Sequence, residues 1–239
     1  MNQISHNIIG DIHGRDIWKQ LVDDTLINVF IGDFFDPYTR RIPFEECMRN
    51  FTEIVSYKKQ HPENTVLLWG NHELHYLLRN ELRERYSRFD YENADAIGEA
   101  LEENSCYFSG IAYSIGDKYL VTHAGVSRYW YMKWFGAYHG QELSSVAQDI
   151  NNLWDLNRAA FSVQANGTFP YDQDSPTQSP LWVRPWALEK HNLFEGTAYI
   201  QVFGHTQCSK ISEHNRLICI DCLGNVPRGN ENTPLTLKI

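Results

Sequence analysis

The chain reads as an α/β protein, and three observations predict that class. Short apolar, β-branched runs recur along it, and each closes on a glycine or a polar turn, as buried strands do. Between them lie stretches with apolar residues at helical spacing. The polar motifs that carry candidate chemistry sit just beyond the strand ends, where an α/β sheet offers a binding site.

In order, Ile4 to Ile9 runs into Gly10-Asp11, and Leu26 to Ile31 runs into Gly32-Asp33. Phe44 to Gln60 places Phe44, Cys47, Phe51, Ile54 and Val55 on one helical face ahead of Pro62. Thr65 to Trp69 is a strand ending at Gly70-Asn71. Leu74 to Tyr86 and Asn93 to Leu101 are helix-compatible. Tyr119 to Val121 ends at Thr122-His123, and Tyr199 to Phe203 ends at Gly204-His205. Leu143, Val146, Ala147, Ile150, Leu153, Trp154 and Phe161 trace one face of a longer helix. Ser162 to Pro180 is rich in Ser, Asn, Gly, Asp, Gln, Thr and Pro and reads as a loop, a candidate rim or lid over a site.

A chain of 239 residues suits one domain with a substantial core, and 42% hydrophobic residues argue against disorder. No apolar run approaches the ~20 residues that span a bilayer, and no secretory signal is expected at the N-terminus. The net charge of −9 disfavours an extensive nucleic-acid footprint. The five cysteines lack disulfide-scaffold spacing and favour a cytoplasmic setting. Cys219 and Cys222 read as a buried strand end rather than half a zinc site.

Five segments concentrate the chemistry. They are Gly-Asp-Ile-His-Gly (Gly10 to Gly14), Gly-Asp-Phe-Phe-Asp (Gly32 to Asp36), Gly-Asn-His-Glu (Gly70 to Glu73), Thr-His-Ala-Gly (Thr122 to Gly125) and Gly-His-Thr (Gly204 to Thr206). Carboxylate, imidazole and amide ligands on strand-end turns suit a pair of metal ions and hydrolysis at phosphorus. Asp11 and His13 alternate along an extended segment, so they share an ion only if the chain turns straight after the strand, which Gly14 permits.

In this order the segments resemble the calcineurin-like metallophosphoesterases, in particular the compact bacterial and phage form of the phosphoprotein phosphatase type. The resemblance implies a four-layer α-β-β-α sandwich forming a single domain over 1–239, with a rim or lid insertion near 126–180. It implies that Asp11 and His13 hold the first metal, Asp33 bridges both, and Asn71, His123 and His205 complete the second. His72 would protonate the leaving oxygen, with Asp36 orienting it, and Arg184 in Leu-Trp-Val-Arg-Pro would grip the phosphoryl oxygens. The cofactors expected are two divalent ions, manganese first, with iron or zinc as alternatives.

One departure matters. The family's second motif continues Asp-Arg-Gly, and that arginine also grips phosphate. Here Pro37 and Tyr38 follow Asp36, leaving Arg40, Arg41 or Arg79 as substitutes. The function expected is a phosphomonoesterase of serine/threonine-phosphatase type, acting on a phosphoprotein, a small phosphate ester or a nucleotide. The alternatives are a symmetrical dinucleoside tetraphosphate hydrolase and a non-catalytic interaction module. The aromatic cluster Tyr129, Trp130, Tyr131, Trp134, Phe135 and Tyr138 reads as core packing, with base stacking as the alternative. Asp221 reads as structural or as an outer partner able to orient His205.

Overall fold

The structure, a computed structural model, describes residues 5–38, 42–78, 88–164, 175–225 and 236–239. From the N-terminus the elements are β1 (His6–Ile9), α1 (Trp18–Leu21), β2 (Ile27–Phe30), α2 (Phe44–Gln60), β3 (Thr65–Leu67), α3 (Asn71–Leu77) and α4 (Ala94–Glu103). They continue with β4 (Ala112–Ile115), β5 (Tyr119–Thr122), α5 (Arg128–Phe135), α6 (Leu143–Leu156) and α7 (Pro185–His191). The last are β6 (Ile200–Phe203), β7 (Ser212–His214), β8 (Leu217–Cys219) and β9 (Thr236–Lys238). Two compact units divide them: residues 1–109 with 222–239, and residues 110–221. Each unit carries one sheet with its helices, the mixed α/β make-up expected. Among the described residues no helix is long and apolar enough to cross a membrane.

In the first unit the sheet order is β3-β2-β1-β9. β1, β2 and β3 run parallel, with His6 opposite Ile27 and Asn28 opposite Thr65, while β9 is antiparallel to β1. Every residue of β1 is buried, as expected for a strand covered on both faces. Asn7 and Asn28 pay for their burial by bonding each other (Nδ2 to Oδ1, 2.9 Å). α2 packs on β3 and buries Cys47, Phe51, Ile54 and Val55. Its acidic first turn (Glu45, Glu46) and basic last turn (Lys58, Lys59) complement the helix dipole.

In the second unit the order is β4-β5-β6-β8-β7, with β5, β6 and β8 parallel and the two edge strands antiparallel. α6 lies along β4 and β5, burying Leu143, Val146, Ala147, Ile150 and Trp154. Asn151 on its polar side accepts from the backbone N–H groups of Ile111 and Ala112 (2.8 and 2.9 Å) and donates to Ala112 O.

Two helix boundaries differ from expectation. The helix read through Phe161 ends at Leu156, because Asn157 leaves helical geometry at φ −153. A 3₁₀ turn, Arg158–Phe161, then returns Phe161 to the ring of Trp154 at 5.4 Å. The helix read over 74–86 starts at Asn71 and its described part closes at Leu77; its remainder falls on 79–87, outside the described residues. The loop read over 162–180 likewise falls largely on 165–174, outside them.

The aromatic cluster is divided: Tyr129 is exposed, and Trp134, Phe135 and Tyr138 are half-buried. Trp130 and Tyr131 on α5 are fully buried, with Trp130 5.3 Å from Phe161 and Tyr131 4.8 Å from Phe135. None of the five cysteines forms a disulfide, and Cys219 and Cys222 are both buried.

Candidate metal centre

In the first unit the turn after β1 carries Asp11 and His13, both buried. The alternation problem is solved by the backbone of His13 itself, which takes the left-handed conformation (φ 47), followed by Gly14 (φ 74). Long-range bonds hold it there: His13 N–H donates to Asp33 O at 2.5 Å, and Gly14 N–H to Phe34 O at 2.8 Å. Asp33 (φ 54) and Asp36 (φ 57) are also left-handed. Non-glycine residues there are uncommon and are retained where surrounding structure enforces them, often at functional sites.

Glu73 supplies much of that enforcement. It sits at the third position of α3 and reaches back to the N–H of its capping residue Gly70 (2.9 Å). The same carboxylate accepts from the N–H groups of Asp33 (2.8 Å) and Phe34 (2.7 Å). Gly70 has to be glycine, since a Cβ there would strike Asp33. Glu73 therefore ties the Asp33 turn to the Asn71 turn. Burial and then the Asp33 carboxylate push its pKa up, while the N–H groups of Phe34 and Gly70 pull it down. A cation at Asp33 would cancel the second upward push.

These residues fit a divalent ion. Burial, foremost, holds the His13 pKa well below its usual value, so the ring is neutral, the form that ligates metal. Its Nδ1 faces the carbonyl of Phe35 at 2.8 Å and so carries the proton. The lone pair is thus on Nε2, which is buried, has no hydrogen-bond partner and lies 3.5 Å from Asp33 Oδ2. A lone pair aimed at a carboxylate oxygen is repulsive unless a cation lies with them. Asp11 and Asn71 add buried oxygen donors to the same unit.

His72 follows Asn71 on α3. Its Nδ1 meets Asp36 Oδ2 at 2.5 Å, and its Nε2 is 3.9 Å from Asp33 Oδ2. Burial opposes its protonation, but Asp33 and Asp36 outweigh burial and raise its pKa. Asp36 is held in turn by the hydroxyl of Tyr76. His75 is buried beside this pair, 5.3 Å from His72 ring to ring. Its pKa is well below normal, chiefly through burial.

The second unit contributes further donors. His123 follows β5, and His205 (φ 63) follows β6. Gly204 N–H donates to His123 O at 2.8 Å, which brings the two turns together. His123 Nε2 then lies 3.3 Å from His205 Nδ1, close enough for both rings to serve one ion. Arg184 caps α7 ahead of Pro185 and is half-buried; its Nη1 donates to Thr206 Oγ1 at 3.2 Å. Ala124 N–H to Pro180 O (2.6 Å) brings the start of the Pro180–Arg184 segment beside the His123 turn. Asp221 is buried after β8, and its carbonyl accepts from Cys208 N–H.

Sequence reasoning missed two residues. Glu73 was visible as an acidic third residue of a helix start, a recognised capping signal. Arg88 had no signal of its own. It donates to Asp36 O (3.1 Å) and approaches His72 Nε2 (3.2 Å), while Arg40, Arg41 and Arg79 lie outside the described residues.

Comparison of the sequence with curated proteins finds no match. Among solved structures, the chain is similar to a cold-active protein-tyrosine phosphatase of the psychrophile Shewanella sp. (18% identity, 93% of this chain and 72% of that one, TM-score 0.59). It is also similar to a protein serine/threonine phosphatase of Saccharomyces cerevisiae that itself resembles human phosphatase PP5 (16% identity, 90% and 66% covered, TM-score 0.53). At these identities the likeness is one of fold. The family model described as calcineurin-like phosphoesterase matches residues 7–215, a span that includes all five motifs. The chain therefore belongs to the calcineurin-like phosphoesterases, a family of dinuclear metal-dependent hydrolases of phosphoesters.

Proposed function

We propose that this protein is a phosphomonoesterase of serine/threonine-phosphatase type, and that both units form one catalytic domain. The observation that carries the reading is the buried His72–Asp36 pair, with His72 Nε2 3.9 Å from Asp33 Oδ2. Asp36 holds the proton on Nδ1 and favours the charged ring, so Nε2, which accepts from Arg88 in the free protein, can take up a second proton once Arg88 is displaced and give it to a departing oxygen. That oxygen leaves as an alcohol, and Nε2 recovers its lone pair.

Asp11, His13, Asp33, Asn71, His123 and His205 are the proposed ligands, with Asp33 shared between two ions. When bound, the ions supply positive charge to the phosphoryl oxygens and lower the pKa of a water. The mixed oxygen and nitrogen donors suit manganese, with iron or zinc also accommodated. Arg184, half-buried and braced on Thr206, offers a planar fork of N–H groups to two phosphoryl oxygens. Cysteines that form no disulfide fit a reducing compartment such as the cytoplasm.

With manganese, purified protein should release phosphate from p-nitrophenyl phosphate and from a phosphoserine peptide, and EDTA should stop it. Faster release of ADP from diadenosine tetraphosphate would replace this reading with dinucleoside polyphosphate hydrolysis. Inertness of metal-loaded protein on every ester would leave an interaction module. No observation favours the nucleotide reading, since Trp130 and Tyr131 are spent in the core.

A further inference from the structure

Arg88 lines a cavity of about 830 Å³ in the first unit, together with Asp36, Pro37, Tyr38, Phe44 and Asp90 among others. It is exposed and left-handed (φ 68), and its guanidinium lies 3.8 Å from the centre of the Tyr38 ring. Stacking on Tyr38 and the bond to Asp36 O fix the guanidinium plane. Its other hydrogen bond among the described residues goes to His72 Nε2, the atom assigned above to the leaving oxygen. Among the described residues no carboxylate forms an ion pair with it.

From this geometry we propose that Arg88 binds the phosphoryl group of the substrate, supplying the cation absent at Pro37. A phosphoester whose leaving oxygen takes the place of Nη2 at His72 Nε2 lies within reach of the displaced guanidinium. Arg88 then donates two N–H groups to non-bridging oxygens, a contact a dianion rewards most. The Tyr38 ring supports the fork from behind, and the cavity leaves room for the rest of the substrate. The assignment rests on the phosphatase reading for the identity of the ligand, but phosphate binding tests it separately from turnover.

The probe is inorganic phosphate, titrated by calorimetry into manganese-loaded wild type, Arg88→Ala, Arg88→Gln and Arg88→Lys, with metal content and unfolding midpoint measured for each. Loss of a bidentate charged contact should weaken phosphate binding about 10- to 100-fold in the Ala and Gln variants. Lys should recover part of it. Unchanged affinity in the folded Ala or Gln variant overturns the assignment, as does a wild type that binds no phosphate at ~10 mM. Hydrolysis of p-nitrophenyl phosphate separates the two ideas. Active wild type with unchanged phosphate affinity in Arg88→Ala sinks the assignment and spares the phosphatase reading. Inert wild type that binds phosphate through Arg88 sinks the reading and spares the assignment.

Discussion

In the metal-loaded protein, where a cation at Asp33 relieves one upward push on the Glu73 pKa and favours the carboxylate, replacing Glu73 by Gln removes one charge without changing shape, and it tests how the Asp33 and Gly70 turns are held. In the native protein one carboxylate oxygen accepts from Asp33 and Gly70, and the other from Phe34. Glutamine can serve the two-donor position with its carbonyl oxygen, but its NH₂ then faces the Phe34 N–H. One buried donor is left unsatisfied, at about 1–3 kcal/mol, and two charge-assisted bonds become neutral, at roughly 1 kcal/mol each. Relief from burying a carboxylate beside Asp33 offsets part of this, leaving a net loss of about 2–4 kcal/mol. Hydrogen exchange read by mass spectrometry should then show amides of the Asp33 and Gly70 turns exchanging about 30- to 1000-fold faster, with the second unit unchanged. Manganese affinity should fall about 10- to 100-fold, because a partner that positions the ligands is weakened. Exchange rates and affinity both within twofold of wild type would refute the claim that Glu73 braces the turns.

Asp33→Ala should abolish metal-dependent turnover and lower bound metal measured by plasma mass spectrometry; near-wild-type values would show that Asp33 is not shared between ions. His72→Asn should keep its metals and lose about 10²- to 10⁴-fold on a phosphoserine peptide, but much less on p-nitrophenyl phosphate, whose leaving group needs little protonation. Asp36→Asn should show a milder version of this pattern, and an equal loss on both substrates would reject the proton-donor role. Burial first, then Asp36, Glu46 and Asp90, push the Cys47 thiol up to about 12, so it stays protonated at pH 8. Iodoacetamide at that pH should label exposed Cys106 well before Cys47, and equal labelling would show that the Cys47 environment is misassigned.

The sequence by itself determined the parts that rest on local signals. β1, β2, β3, β5 and β6 lie within a residue or two of the runs that predicted them, and α2 spans the predicted Phe44 to Gln60, because burial period and turn residues are written in the chain. The strand-end positions of the candidate ligands were legible for the same reason, as was the burial of Trp130 and Tyr131. Only the tertiary structure decided how the turns are made. Gly14 was expected to make the bend after β1, yet His13 itself goes left-handed, held by a carbonyl on Asp33 twenty positions away. Glu73 stood in plain view inside a motif, but its purpose is to satisfy N–H groups on a turn 39 and 40 residues earlier. Arg88 reaches Asp36 across 52 residues, within an arginine-rich stretch where no local pattern separates one arginine from the next. Periodicity reports which face of an element meets the core. Which distant backbone group a side chain satisfies is settled only when the elements pack.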